Sequence, residues 1–156
     1  MKPIYQTIFG NGADGSEPGN CFAACIASVL ELPLPEVPNF MIGAPPPSYP
    51  WDDETADVWL REFFWRVNAF LRPHGLYLFE MEFEDALPPY VWTMVPPGGY
   101  WIAGGPAARG HQHVVVMRDR EMVHDPHPSG DGLEKIKCIS ILGVLDPAMS
   151  KVSRCD

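Results

Sequence analysis

The chain has 156 residues, of which 46% are apolar and 20% are charged, a composition typical of a globular domain with a real core. Its formal net charge is −9 and its 11 lysines and arginines form no basic run, which argues against binding to a nucleic-acid backbone. The sequence has no stretch of about 18 apolar residues, which argues against a membrane-spanning segment.

These features predict a single cytoplasmic domain that covers residues 1–156. The first residues, MKPIYQTIFGNG, are too polar for the apolar core of a signal peptide. The cysteines Cys21, Cys25, Cys138 and Cys155 lack the spacing of a disulfide framework, so free thiols are expected. The glycine-rich stretch PPGGYWIAGGPAARG lacks the Gly-Lys-Ser/Thr of a phosphate loop, and no cofactor or metal is expected.

Two helices are predicted in the first half of the chain. The apolar run GNCFAACIASVLELP predicts helix 1, with Asn20 as a candidate N-cap and Cys21 in the first turn. Residues 33–51 contain seven prolines and are expected to drape over the core. Next, DDETADVWLREFFWRVNAFLRPHG predicts helix 2, from an acidic start to a Pro-His-Gly stop. Its predicted apolar face consists of Val58, Trp59, Phe63, Val67, Phe70 and Leu71.

Five strands are predicted in the second half of the chain, from alternating or β-branched apolar residues. They are LYLFEMEFE, GYWIAG, HQHVVVMR, EMVHDP and KIKCISILGVL. Because the helices come first and no regular β-α-β alternation follows, this order predicts an α+β fold with an antiparallel sheet.

Four of the five histidines lie in one stretch, RGHQHVVVMRDREMVHDPHP, residues 109–128. If the third and fourth strands pair around a three-residue turn, His113 lies directly opposite Asp125. Directly opposed residues have Cβ atoms about 4.5–5.5 Å apart, so the carboxylate can accept a ring N–H. The period of two places His124 on the face opposite to Asp125. We assign the other histidines of the stretch, His111, His124 and His127, to structure or to the rim of a cleft.

Three residues of the chain match the needs of acyl transfer: a nucleophile, a base and a group that orients the base. Cys21, His113 and Asp125 can fill these roles in that order. A cysteine in a first helical turn is expected to have its pKa lowered by the helix dipole and by an adjacent imidazolium. Cys25, one turn deeper, is expected to be inert.

The blocks GNCFAACIASVL and HQHVVVMRDREMVHDPHPSG resemble those of the papain-like cysteine peptidases, in particular the bacteriocin-processing peptidase domains of ABC exporters. They are also similar to blocks of small bacterial and phage proteins. The resemblance implies a papain-like fold, in which a helix that begins at the nucleophile packs on an antiparallel sheet. It also implies Cys21 as nucleophile, His113 as general base and Asp125 as the orienting residue.

The chain departs from the exporter domains at two points. They usually carry an oxyanion-hole glutamine a few residues before the nucleophile, where this chain has glycine and serine. Gln6 is the only upstream glutamine and can serve if the intervening segment loops out; otherwise Asn20 or the backbone N–H of Cys21 must stabilise the oxyanion. Phe22 replaces a usual glycine on the S1 side of the nucleophile, so specificity for double-glycine leaders does not transfer.

The leading expectation is a cysteine-dependent hydrolase or acyltransferase that acts on a peptide, isopeptide or side-chain amide bond through a thioester on Cys21. Its partner is a peptide or protein substrate, and protease, deamidase and transglutaminase-like activities stay open, as do the oligomeric state and a lid role for residues 33–51. One alternative is a non-catalytic papain-like binding or regulatory module of a phage or bacterium. Another is a zinc protein with Cys21, Cys25, His111 and His113 as ligands.

Overall fold

The computed structural model describes residues 1–10, 16–44, 54–85, 87–95 and 97–149. In this part of the chain two α-helices combine with one five-stranded sheet, so the predicted α+β class is confirmed. The helices are α1 (Cys21–Leu30) and α2 (Glu54–Leu71). The strands are β1 (Leu76–Glu82), β2 (Tyr100–Pro106), β3 (Gln112–Arg118), β4 (Glu121–His124) and β5 (Cys138–Val144). None of the described helices is long and apolar enough to cross a membrane.

The strands lie in the order β1-β5-β2-β3-β4, and each neighbouring pair is antiparallel. The last strand of the chain, β5, therefore inserts between β1 and β2. β1 and the short β4 form the two edges of the sheet. All five strands coincide with predicted ones, because their side chains alternate between the two faces of the sheet.

The two helices cover one face of the sheet and form the larger core with it. The strands contribute Leu76, Leu78, Ile102, Val116 and Leu142 to this core. A second core on the opposite face contains Val91, Val95, Trp101, Ala103, Val115, Met117 and Ile139. A 3₁₀ turn, Pro89–Thr93, contributes to this second core.

The predicted apolar face of α2 is largely confirmed. Trp59, Phe63, Val67 and Leu71 are buried, and the rings of Trp59 and Phe63 stack with centroids 5.3 Å apart. Val58 is 40% exposed, so its placement on the buried face was wrong. A helix turns about 100° per residue, and the position before Trp59 therefore points toward solvent.

The described part of the proline-rich segment lies on the core, as expected. Val37 and Phe40 are buried in the helix-side core, and the ring of Phe40 meets that of Phe22 edge to face at 6.1 Å. The possible lid role concerned residues 33–51, and residues 45–51 of this segment lie outside the described residues.

The β3–β4 hairpin differs from the predicted register. Its turn contains two residues, Asp119 and Arg120, because Arg118 pairs with Glu121. Asp119 has a φ of 53°, a left-handed conformation that asparagine and aspartate adopt more readily than most residues. A three-residue turn was therefore the wrong expectation.

A β-bulge then changes the pairing further along the hairpin. Met117 pairs with Met122, but Val116 pairs with His124, so Val123 is the extra residue on β4. His113 does not lie directly opposite Asp125, and that prediction was wrong. The extra residue reverses which face the following residues occupy, and it thereby returns Asp125 to the face of His113.

Candidate active site

His113 and Asp125 form a buried pair at the end of the β3–β4 hairpin. The Nε2 atom of His113 lies 2.7 Å from Oδ1 of Asp125, and both residues are buried. The two side chains meet diagonally across the hairpin, within reach of an imidazole and a carboxylate. The predicted partnership of these two residues is therefore present, although its register is different.

The protonation of this pair follows from its surroundings. Burial raises the pKa of Asp125, but hydrogen bonds from His113, Gly132 and His127 outweigh burial and hold it below the usual value. Burial also lowers the pKa of His113, against the opposing effect of Asp125. At neutral pH a carboxylate thus faces a neutral ring. Nε2 of His113 therefore carries the ring proton and donates a hydrogen bond to Asp125. This tautomer leaves Nδ1 of His113 as a free base.

Cys21 is the first residue of α1, as predicted, and it lies against the backbone of β3. The backbone of Val114, next to His113 in β3, interacts with the Cys21 thiol. One turn along α1, Cys25 directs its S–H to the carbonyl oxygen of Val114, with sulfur and oxygen 3.7 Å apart. β4 pairs with β3 only from Val116 onward, so the backbone of Val114 is not paired with β4. Cys21 and Cys25 of α1 contact this backbone instead.

The pKa of Cys21 is not lowered, contrary to the expectation from its place in the helix. Burial raises it to about 11, and the charge of Asp125 raises it too, while backbone hydrogen bonds at Val114, Phe22 and Cys21 itself lower it. The burial of the sulfur and the charge of the nearby carboxylate thus raise the pKa of Cys21 more than the helix start lowers it. Among the described residues no hydrogen bond joins the Cys21 sulfur to the His113 ring.

Asn20 occupies the N-cap position of α1, as predicted, but its side chain makes no capping hydrogen bond. Its Oδ1 atom accepts the backbone N–H groups of Thr7 and Ile8, each at 3.0 Å, and its Nδ2 atom donates to Oγ1 of Thr7 at 3.2 Å. These bonds join the amino-terminal segment to the helix start and hold the Asn20 amide toward Thr7. One N–H of this amide is left, so the Asn20 side chain stays a candidate for the oxyanion donor.

Gln6 is brought to the helix start by the loop between it and Cys21. Its side chain is buried, its Nε2 donates to the carbonyl of Ile8 at 3.0 Å, and its backbone N–H donates to the carbonyl of Pro126 at 2.9 Å. A Cβ atom added at Gly19 would lie 3.9 Å from Gln6 Nε2. The second N–H of this amide and the backbone N–H of Cys21 are the other candidate donors near the nucleophile.

Phe22 does not form the S1 side of the candidate nucleophile, contrary to the expectation from the resemblance. It is buried in the helix-side core, with its ring 5.4 Å from that of Phe63. Residue 22 follows Cys21 by 100° around the helix, which turns its side chain inward.

Two of the remaining histidines of the stretch, His124 and His111, lie in different surroundings. His124 lies on the face opposite to Asp125, as predicted, and its Nε2 contacts the carbonyl of Ile4 at 2.9 Å. His111 is exposed, ahead of β3.

The described residues contain no group of three or more metal-binding side chains, which leaves the zinc alternative without a site in this part of the chain.

The contacts that the loop after β4 makes with Asp125 were not predicted from the sequence. His127 and Gly132 donate backbone N–H groups to Asp125, and Arg109 binds the same loop. A shallow groove of about 240 Å³ opens beside it, lined by Tyr5, Met122, Val123, His124, Asp125, His127, Pro128 and Gly130. The turn residues of DPHPSGDG were the available signal, because a polar loop directly after a buried aspartate can bind its carboxylate.

Comparisons with protein-family models, with curated proteins and with solved structures find no significant match to this chain. The function is therefore inferred from the chemistry of the site itself.

Proposed function

We propose that this protein is a papain-like cysteine hydrolase or acyltransferase that forms a thioester on Cys21. The observation that carries the proposal is the buried bond between His113 Nε2 and Asp125 Oδ1, 2.7 Å long. It fixes a neutral imidazole whose free Nδ1 is a base, and the charge of its partner Asp125 acts on the Cys21 thiol. A peptide or protein with an accessible amide bond is the proposed substrate.

In the first half-reaction, the Cys21 sulfur attacks the carbonyl carbon of the substrate as its proton passes to Nδ1 of His113. The charge that develops on the carbonyl oxygen is bound by N–H donors near the helix start, for which Gln6, Asn20 and the Cys21 backbone are the candidates. The imidazolium then returns the proton to the departing amine as the C–N bond breaks, leaving a thioester.

In the second half-reaction, water or an amine attacks the thioester, and Nδ1 of His113 takes its proton. Collapse of the tetrahedral intermediate breaks the C–S bond, and the proton returns to the sulfur. Water yields a carboxylic acid and an amine yields a new amide. The choice between hydrolase and acyltransferase thus depends on which nucleophile reaches the thioester.

A non-catalytic binding module is the second candidate, and a specific observation favours it. The raised pKa of Cys21, about 11, keeps the thiol protonated at neutral pH, and no hydrogen bond to His113 relieves this among the described residues. A thiol in this state reacts only when a base removes its proton during attack. Acylation kinetics therefore distinguish the two candidates.

The test is acylation by p-nitrophenyl acetate at pH 7.5, followed as a burst of nitrophenol and as a mass increase on Cys21. We expect the wild type to acylate, Cys21→Ala not to, and His113→Ala to react about 100-fold more slowly or worse, in line with the loss of a general base. Cys25→Ala is the matched control, one helical turn away, and should keep the wild-type rate. Equal rates in wild type and His113→Ala would overturn catalysis and favour the binding module.

Asp125 is proposed to orient the imidazole without exchanging its own proton. Asp125→Asn should therefore retain more acylation activity than His113→Ala, because the amide oxygen still accepts the Nε2 proton. Equal and complete losses in the two variants would contradict an orienting role.

A further inference from the structure

One loop closes around both carboxylate oxygens of Asp125. The backbone N–H of His127 donates to Oδ1 at 2.8 Å, and the backbone N–H of Gly132 donates to Oδ2 at 2.9 Å. We name residues 125–132 the Asp125 loop. Oδ1 also accepts a hydrogen bond from the ring N–H of His113. The position of the loop therefore sets the position of the imidazole.

The side chain of Arg109 reaches the Asp125 loop from the connection between β2 and β3. Its Nη1 atom donates to Oγ of Ser129 at 2.5 Å and forms an ion pair with Oδ2 of Asp131 at 3.2 Å. The Arg109 side chain is 24% exposed and the Asp131 side chain 50%, so solvent screens part of the ion pair. One guanidinium thus joins two points of the loop.

Ser129 connects Arg109 to His127. A guanidinium only donates, so Oγ of Ser129 accepts from Arg109, and its single proton has two nearby acceptors, the Asp131 carboxylate and Nδ1 of His127. Nδ1 of His127 lies 2.8 Å from this Oγ and also accepts the backbone N–H of Ser129 at 3.1 Å. The rings of His127 and His113 lie perpendicular to each other, with their centroids 6.2 Å apart.

We propose that Arg109 is a positioning residue that acts through Ser129 and His127 to hold the Asp125 carboxylate against His113. Neither Arg109 nor Ser129 contacts the proposed reacting atoms, so neither is a catalytic residue. The inference rests on the proposed function for its role in catalysis, but the contacts that it predicts can be measured without substrate. The charged or titratable groups that act on His113 are Asp125, Arg109 and His127.

The test uses nuclear magnetic resonance on the full chain, with two readouts that do not depend on turnover. One is the imidazole proton on Nε2 of His113, whose signal reports its bond to Asp125. The other is the hydrogen exchange of the His127 and Gly132 amides. In Arg109→Gln and in Ser129→Ala we expect these two amides to exchange about three- to tenfold faster, as on loss of one net hydrogen bond. The Nε2 proton signal should shift or broaden in both variants.

Three further variants test whether the two residues act together. The double variant Arg109→Gln with Ser129→Ala should be no worse than the more affected single variant, because both interrupt the same connection. Arg109→Lys keeps the charge and should restore part of the protection. Arg120→Gln, which removes an arginine at the far end of the hairpin beside Trp92, is the control and should leave both readouts unchanged.

Unchanged amide exchange and an unchanged His113 signal in Arg109→Gln would overturn the proposal, as would additive effects in the double variant. If the variants change these signals while no protein form is acylated by p-nitrophenyl acetate, the positioning role stands and the proposed function fails. If Arg109→Gln lowers exchange protection throughout the sheet, Ser129→Ala decides, because it removes one hydroxyl only.

Discussion

At Cys21, burial and the charge of Asp125 oppose ionisation more strongly than the helix start favours it. The resulting pKa of about 11 means that the resting thiol is protonated at neutral pH. The lowered pKa of His113 keeps its ring neutral under the same conditions. The site therefore rests as an uncharged thiol and an uncharged base, and the proton moves only during attack.

This charge state predicts the pH dependence of alkylation at Cys21. The alkylation rate with iodoacetamide should rise with a midpoint near pH 11, and the midpoint should stay there in His113→Ala, because the imidazole does not stabilise the thiolate at rest. In Asp125→Asn the midpoint should fall, since a negative charge that raises the pKa is removed. Mass spectrometry of the Cys21 peptide measures each rate.

Cys25 provides the internal control for this measurement, because burial raises its pKa well above the usual value and it should stay unlabelled. A Cys21 midpoint below the ordinary thiol value of about 8.5, lost in His113→Ala, would contradict the uncharged pair and establish a thiolate–imidazolium pair.

The identity of the site residues could be predicted from the sequence, but their energetics could not. Cys21 at a helix start and the His113–Asp125 pair follow from local patterns of capping and alternation. The pKa of Cys21 depends on its enclosure against Val114, a contact between segments about ninety residues apart in the sequence. The amide of Asn20 binds the distant Thr7 and Ile8, which no local capping rule reveals.

Among the structural elements, the β3–β4 hairpin decides whether His113 meets Asp125. Its two-residue turn alone would place Asp125 on the opposite face of the sheet, because a shift of one residue inverts every following side chain. The bulge at Val123 supplies the second shift that restores the face. The bulge is thus a structural requirement of the site.

Deletion of Val123 should therefore break the His113–Asp125 pair while leaving the rest of the sheet in place. We expect the Nε2 proton signal of His113 to disappear and acylation to fall at least as far as in Asp125→Asn, because Asp125 then points to the helix side. Val123→Ala retains the extra residue and should keep both properties. A deletion variant with an intact His113 signal would show that the bulge does not set the face.

How much of the fold could be predicted depends on how far apart in the sequence the interacting residues lie. Both helices and all five strands could be predicted from local patterns: α2 from its apolar face, α1 from an apolar run that ends at a proline, and the strands from alternating or β-branched apolar residues. The strand order could not, since insertion of β5 between β1 and β2 depends on contacts between distant segments. At Gly104, for example, an added Cβ would lie 2.4 Å from the Cys138 sulfur on β5, an approach that only the assembled sheet reveals.

Across the whole molecule, the candidate site depends on the amino-terminal segment lying between α1 and β4. The backbone N–H of Ile4 donates to Oγ of Ser28 at 2.9 Å, while the carbonyl of Ile4 contacts the ring of His124. Gln6 then binds Pro126, which directly follows the orienting aspartate. Three segments that are distant in sequence thus fix one another, and loosening any of them disturbs the geometry around Asp125.

The buried thiols also give the whole molecule a defined response to alkaline pH. Burial raises the pKa of Cys21 to about 11, that of Cys25 well above 9.0, and that of Cys138 to about 12. In the unfolded chain these thiols ionise near the ordinary thiol pKa of about 8.5. A group whose pKa is raised on folding stabilises the fold below its unfolded pKa, and this contribution is lost as pH rises toward the folded pKa.

We therefore expect the free energy of unfolding to fall steeply above about pH 9, by up to about 1.4 kcal/mol per pH unit for each buried thiol. Cys138→Ala removes one of these groups, so its stability should decline less steeply than that of the wild type between about pH 9 and pH 11, whatever its stability at pH 7. Urea unfolding of both proteins at several pH values, with a reducing agent present, measures the difference in slope. Cys138→Ala leaves Cys21 and Cys25 in place, so a residual slope should remain. Parallel declines in the two proteins would show that the Cys138 thiol ionises as readily in the folded sheet as in the unfolded chain.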